Sequence, residues 1–164
     1  MITQVEFQLA KPEDAAHLSA LALRSKGYWG YDQQFIERCR SELTYLPEHI
    51  ASGSYSFIKA LDYHHHQILG FYVLAHSKTT TVELEALFVE PSAIGQGIGG
   101  QLINLAKQTA TQQGYTSMLI QGDPNASDFY IKFGAKLQGK KPSGSIPGRF
   151  LPTFLLPLNK QRQW

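Results

Sequence analysis

The chain has 164 residues, a formal net charge of +2 and a single cysteine, Cys39. That length suits one domain spanning 1–164 with a core that needs no staples, and so small a charge gives no argument for nucleic acid, which would need a concentrated basic face. One cysteine excludes an internal disulfide and fits a reducing, cytoplasmic setting, and the lack of an apolar run of about 18 residues or of a charged-then-apolar leader argues against membrane insertion or secretion.

Gln4 to Ala10 alternates as a short strand. Pro12, Glu13 and Asp14 then open a helix with acids at its positive end, and Leu18, Leu21 and Ala22 form its buried side. Gly27-Tyr-Trp-Gly-Tyr-Asp32 breaks that helix. Phe35, Ile36, Cys39, Leu43 and Leu46 mark a second helix, expected to stop before Pro47. Cys39 shares a side with Phe35 and Leu43, which reads as a core thiol rather than a nucleophile. The aromatic linker residues Tyr28, Trp29 and Tyr31 can either pin the two helices together or wall a binding pocket.

Ser54 to Leu61 and Ile68 to His76 form a hairpin around Asp62–Gln67. Adjacent side chains of a strand face opposite ways, so His64, His65 and His66 do not converge on one ion; they read as a turn, and no metal is expected.

Val82 to Val89 is the next strand. Simple alternation puts Val82, Leu84, Ala86 and Phe88 on one face and Glu83, Glu85, Leu87 and Val89 on the other. Pro91 ends it. Gly95-Gln-Gly-Ile-Gly-Gly100 then feeds a helix with Ile98, Leu102, Leu105, Ala106 and Ala110 on one side, closed by Gly114. A glycine turn at a helix N-terminus presents unpaired N–H groups and the positive end of the helix dipole. It is an anion site suited to phosphate or diphosphate. Gly95, Gly97 and Gly100 also spell G-x-G-x-x-G, with Asp123 about 20 residues on, as a dinucleotide-binding oxidoreductase would have it. Against that, four residues separate the strand from the first glycine, and too little chain follows for a second mononucleotide half.

Ser117–Gln121 is a further strand. Asn125 or Ser127 could cap a short helix ended by Gly134. Lys136–Lys140 and Phe150–Leu158 are the last strands, with a loop over Pro142–Gly148 between them, and Lys160–Trp164 is expected to be a frayed tail.

Taken together, Leu-Phe-Val-x-Pro91, the Gly97 and Gly99 turn, and Asn125 followed by Phe129-Tyr-x-Lys-x-Gly134 resemble the GNAT superfamily of N-acetyltransferases. Ile94 stands where that motif usually has Arg or Gln. The resemblance implies a mixed, mostly antiparallel α/β sheet flanked by helices, the acyl-CoA N-acyltransferase fold. It implies acetyl-CoA as co-substrate and direct attack by a primary amine in a ternary complex, without a covalent enzyme intermediate. A small-molecule or peptide amine is the implied acceptor, and a homodimer is compatible with it.

By the same resemblance the diphosphate would lie on Ile94, Gly95, Gln96, Gly97, Ile98, Gly99 and Gly100. The thioester and pantetheine would lie along Leu87, Phe88 and Val89, and Asn125 would contact the cofactor. Tyr130 would be the general acid for the leaving thiolate, and Tyr28, Trp29 and Tyr31 would wall the acceptor. An alkyl ammonium with a pKa of about 10.4 must lose a proton before it can attack. Glu83 and Glu85 are the candidate bases, with neither preferred; the bland alternative is an exposed face of solvated glutamates. Arg149 either meets an anionic part of the acceptor or braces its loop. A non-catalytic acyl-CoA sensor is the remaining alternative to an enzyme.

Overall fold

The computed structural model describes residues 4–158; the expected tail Lys160–Trp164 lies outside them. The elements run β1 (Val5–Leu9), α1 (Ala15–Gly27), α2 (Gln33–Cys39), α3 (Pro47–Ala51), β2 (Tyr55–Asp62), β3 (Ile68–Ala75), β4 (Thr81–Val89), α4 (Ile98–Gln112), β5 (Ser117–Gln121), α5 (Ser127–Lys132), β6 (Lys136–Pro142) and β7 (Phe150–Pro157). The seven strands form one sheet in the order β1-β2-β3-β4-β5-β7-β6. Only β4 and β5 are parallel, joined by the α4 crossover; all other neighbours are antiparallel. This is the mixed, mostly antiparallel α/β architecture expected. A single parallel pair also supplies no second mononucleotide half, so the dinucleotide reading has no scaffold.

The sheet separates two apolar clusters. On one face α4 lays Ile98, Leu102, Ile103, Ala106 and Ala110 against Tyr72, Leu74, Val82, Leu84, Met118 and Ile120. On the other face α1 lays Leu18, Leu21 and Ala22 against Phe57, Phe71, Val73 and Ala86. Each fully buried Leu or Ile in these stripes stabilises the fold by about 1.5–3 kcal/mol, so the two helices are fixed firmly relative to the strand ends between them.

Four local expectations need correction. The helix expected from Phe35 to Leu46 stops at Cys39: Asp32 caps its start by accepting the Phe35 N–H at 2.8 Å. Pro47 does not follow a helix but begins one, α3, where its missing N–H costs nothing. The cap of the α5 region is neither Asn125 nor Ser127. Asp123 accepts the Asn125 N–H at 2.9 Å and caps a 3₁₀ turn over Pro124–Ala126 that runs into α5.

The fourth correction concerns β4. Val73 pairs with Ala86 and Leu74 with Leu84, so Glu85 has no partner in the β3 ladder and forms a bulge. The bulge swaps the faces. Val82 and Leu84 pack on the α4 side, but beyond it Leu87 and Val89 take that side while Ala86 and Phe88 turn to α1.

Candidate active site

The parallel pairing of β4 with β5 ends at Leu84 opposite Ile120. Beyond that point β4 runs on to Val89, held only by β3, while β5 stops at Gln121. The strands part, and a cavity of about 470 Å³ opens between them. Its walls are Leu84–Val89 of β4, Gln121–Asp123 beyond β5, the turn into α4, Phe129, Tyr130 and Phe133 of the α5 region, and the C-terminal end of α1. Glu90 N–H donates to the Leu69 carbonyl at 2.8 Å. Strand alternation then directs the N–H groups of Phe88 and Ala86 toward β3 and those of Leu87 and Val89 the other way, into the gap. The end of β4 is also tied to α1, because Arg24 donates to both Glu90 oxygens, at 2.8 and 2.6 Å.

At one end of the cavity lies the glycine turn. Gly95 (φ +90°) and Gly97 (φ +82°) adopt the left-handed conformation that other residues enter only at a cost of about 1–2 kcal/mol. Gly97 caps α4 with no side chain to accept its first N–H groups. Among the described residues, the N–H groups of Gly95, Gly97, Ile98, Gly99 and Gly100 have no main-chain acceptor, whereas those of Ile94 and Gln96 donate to Pro91 and Ala93 carbonyls at 3.3 Å. The turn therefore offers five such amides rather than the whole run expected from the sequence. Ile94, Gly95, Gly97, Ile98, Gly99 and Gly100 line the cavity; Gln96 does not. A Cβ on Gly99 would lie 3.2 Å from Phe129, and one on Gly100 3.0 Å from Phe133, so any larger residue would press on the rings of the α5 region. Orphan amides, a helix dipole and Lys132 on the rim make a cradle that fits a diphosphate.

Tyr130 lines the cavity as well. Its ring is buried against Phe154, with centroids 5.9 Å apart, and over Gly122, where a Cβ would come within 2.8 Å. Core packing and cavity lining are thus both true of it. Among the described residues no buried side-chain polar atom is without a partner, so the Tyr130 hydroxyl, which makes no hydrogen bond to them, opens on the cavity. Burial and the nearby Asp123 carboxylate push its pKa up, so it is a protonated donor throughout the physiological range.

The two glutamates differ in position. Glu85, on the bulge, lines the cavity; Glu83 does not, and instead stands opposite Ala75 and Leu119 in the sheet. Glu85 is exposed, yet desolvation by its surroundings and then the Glu83 charge push its pKa up from the ordinary carboxylate value, with His49 opposing.

The aromatic linker divides as well. Tyr28 and Trp29 line the cavity with 51% and 42% of their surface exposed, packed edge to face with centroids 5.3 Å apart. Tyr31 turns away from the cavity. It stacks on Phe35 at 4.0 Å, and its hydroxyl lies 3.0 and 2.9 Å from the two Asp123 oxygens. Asn125 joins it there rather than in the cavity wall: its Nδ2 donates to Tyr31 Oη at 3.0 Å and to Asp123 Oδ1 at 2.9 Å.

Lys26 Nζ reaches Asp123 Oδ2 at 2.5 Å, and Arg149 Nη2 donates to Tyr31 Oη at 2.7 Å. Burial pushes the Asp123 pKa up, but Lys26, the Asn125 N–H and Tyr31 outweigh that and hold it below the usual range. Desolvation and then Asp123 raise Tyr31 to about 12. Lys26 carried no sequence signal. Asp123 did, but for the discarded ribose-binding reading. Cys39 is buried outside the cavity, accepting a weak hydrogen bond from Ser145 Oγ at 3.7 Å, and the three histidines sit on an exposed turn capped by Asp62.

A family model described as an acetyltransferase (GNAT) domain matches residues 15–141. Among solved structures, the PaiA N-acetyltransferase of Thermoplasma acidophilum, in complex with coenzyme A, has a TM-score of 0.76 at 21% identity, over 94% of this chain and 99% of that one. A GCN5-related N-acetyltransferase of Rhodopseudomonas palustris, described as aminotransferase class II, has a TM-score of 0.77 at 21% identity over 96% and 99%. The ribosomal-protein-S18-alanine N-acetyltransferase of Escherichia coli has a TM-score of 0.72 at 12% identity over 98% and 97%. At such identities the likeness is one of fold. No curated protein sequence matches the chain.

Proposed function

This chain belongs to the GNAT acetyltransferase family, and we propose that it transfers an acetyl group from acetyl-CoA to the primary amine of a small molecule or peptide. One observation carries this reading: a single cavity brings the orphan amides at the N-terminus of α4, the unpartnered Tyr130 hydroxyl and the Glu85 carboxylate onto one path. Acetyl-CoA, bound there, would supply an activated acetyl thioester whose sulfur can leave.

The protein's part is to hold, orient and move protons. The amides of Gly95, Gly97, Ile98, Gly99 and Gly100 would hold the diphosphate, and the Leu87 and Val89 N–H groups would hold the pantetheine arm and the thioester oxygen in the strand gap. Glu85, with its raised pKa, takes a proton from the acceptor ammonium, directly or through one water. Glu83 assists by its charge. Tyr130 Oη–H supplies the proton that the departing sulfur needs. Because attack is direct, no enzyme nucleophile is required, in keeping with a lone cysteine buried elsewhere.

An amine panel assayed by release of CoA thiol tests the proposal. Acetylation of at least one class of amine, with CoA release matched by acetylated product, is the expected result. CoA binding with no turnover on any amine would replace the enzyme by an acyl-CoA sensor.

A further inference from the structure

The hydrogen-bond network beside the cavity carries an unbalanced charge. Asp123 is its one carboxylate, and its oxygens are already occupied. Oδ1 accepts from the Asn125 N–H, from Asn125 Nδ2 and from Tyr31; Oδ2 accepts from Lys26, with Tyr31 shared between the two and Arg149 Nη2 at 3.5 Å. A carboxylate has about four lone-pair sites, so nothing is left to receive more. Two cations, Lys26 and Arg149, therefore face one anion.

Arg149 holds the surplus. Its guanidinium has five N–H donors. Among the described residues only Nη2 has acceptors, the Tyr31 hydroxyl and Asp123, which leaves Nε and Nη1 without any. The group is nonetheless immobilised. It lies over the Tyr31 ring at 5.2 Å and the Phe35 ring at 4.8 Å, with 18% of its side chain exposed. Asp32 caps the Phe35 N–H and Glu42 accepts from Ser145, and among the described residues Asp123 is the one carboxylate paired with Arg149. Both bidentate edges of a guanidinium include Nη2, so what Arg149 leaves open is the single Nε N–H and the two N–H groups of Nη1. These are held over aromatic rings beside the cavity-lining Asp123 and Lys26, where an incoming carboxylate can accept from Nη1.

We propose that Arg149 is the anion anchor of the acceptor site, and that the acceptor is an amino acid or a similar amino-carboxylate with an apolar or aromatic body. Its carboxylate accepts from Nη1 of Arg149, with Lys26 adding to the local positive potential. Its body lies along Tyr28, Trp29 and Leu151, which line the cavity. Its amine is presented toward Glu85. This rests on the acetyl-transfer reading and adds the substrate class to it.

The test uses two matched pairs, L-phenylalanine with phenethylamine and L-tryptophan with tryptamine, assayed with the whole chain and saturating acetyl-CoA. The wild type is expected to favour the carboxylated member of each pair in kcat/KM by tenfold or more, as a charge-assisted hydrogen-bonded pair would give. In Arg149→Gln that preference is expected to collapse by about tenfold, and in Arg149→Lys to survive in part; comparing the ratio across enzymes cancels the difference in amine basicity. Should Arg149→Gln unfold, the Lys variant alone carries the test. A preference for the decarboxylated members, or a ratio untouched by both substitutions, overturns the anchor while leaving acetyl transfer standing. Failure of every amine while CoA still binds overturns acetyl transfer and the anchor with it.

Discussion

The two ends of the cavity recognise by different means. The α4 end presents main-chain N–H groups on a turn whose glycines have no side chains to offer. Behind the acceptor end stands a network of side chains, Lys26, Tyr31, Asp123, Asn125 and Arg149, of which Lys26 and Asp123 line the cavity and all are satisfied by one another except Arg149. Backbone recognition suits a group that never changes, such as a diphosphate. Side-chain recognition can be altered by single substitutions, and it is where specificity should reside. Between the ends stand the two groups assigned to proton transfer, and variants there test the comparison most sharply.

The largest effect is expected for Tyr130→Phe. The phenol has no partner to orphan, so the substitution should leave thermal stability within about 0.5 kcal/mol of wild type. The ring stays in place over Gly122, and CoA binding should persist. Only the proton is lost, and kcat should fall by about 10²-fold or more, the scale of a general acid. Stopped-flow turnover, calorimetric CoA affinity and a melting curve together decide it. Unchanged kcat in a stable variant would reduce Tyr130 to a packing residue.

The same contrast explains what could be read from sequence. A main-chain anion site demands glycines at fixed spacing before a helix, so Gly95, Gly97, Gly99 and Gly100 were visible at once, as were the sheet and its crossover helix. The bulge at Glu85 was not: Val82, Leu84, Ala86 and Phe88 alternate without a break, and the swap of faces comes only from pairing with β3. Pro47 is equally compatible with ending one helix or starting another, and only the Asp32 cap and the short run to Cys39 resolve it. The Asp123 cluster includes a direct hydrogen bond between Tyr31 and Arg149, 118 residues apart, and no local pattern could announce it.

Replacing the two glutamates separately should give effects of different kind. Glu85→Gln is expected to lower kcat/KM by about 10²-fold near neutral pH and to abolish the enzyme's acidic limb in the pH–rate profile. Glu83→Gln should keep that limb but move it to lower pH. Glu83 raises the Glu85 pKa by like-charge repulsion, second to desolvation, so removing its charge favours ionised Glu85 and leaves the base active in more acidic solution. Loss of the limb in Glu83→Gln alone would reverse the assignment. Retention of the limb in both variants would place the base elsewhere.

The smallest effect separates helix stability from anion binding within α4 itself, which carries a left-handed glycine at each end: Gly97 at φ +82° before it and Gly114 at φ +93° after it. An added Cβ at Gly114 would meet no atom within 4 Å, so conformation rather than crowding sets the cost there. Alanine at either position should destabilise the fold by about 1–2 kcal/mol. Only at Gly97 does that strain also tilt the Ile98–Gly100 amides, and there alone CoA affinity should weaken, by about three- to tenfold. Equal loss of CoA affinity in Gly97→Ala and Gly114→Ala would mean that the turn acts through the stability of α4 and not through the aim of its amides. Equal stability loss with affinity lost only at Gly97 would tie diphosphate recognition to the backbone conformation of that one residue.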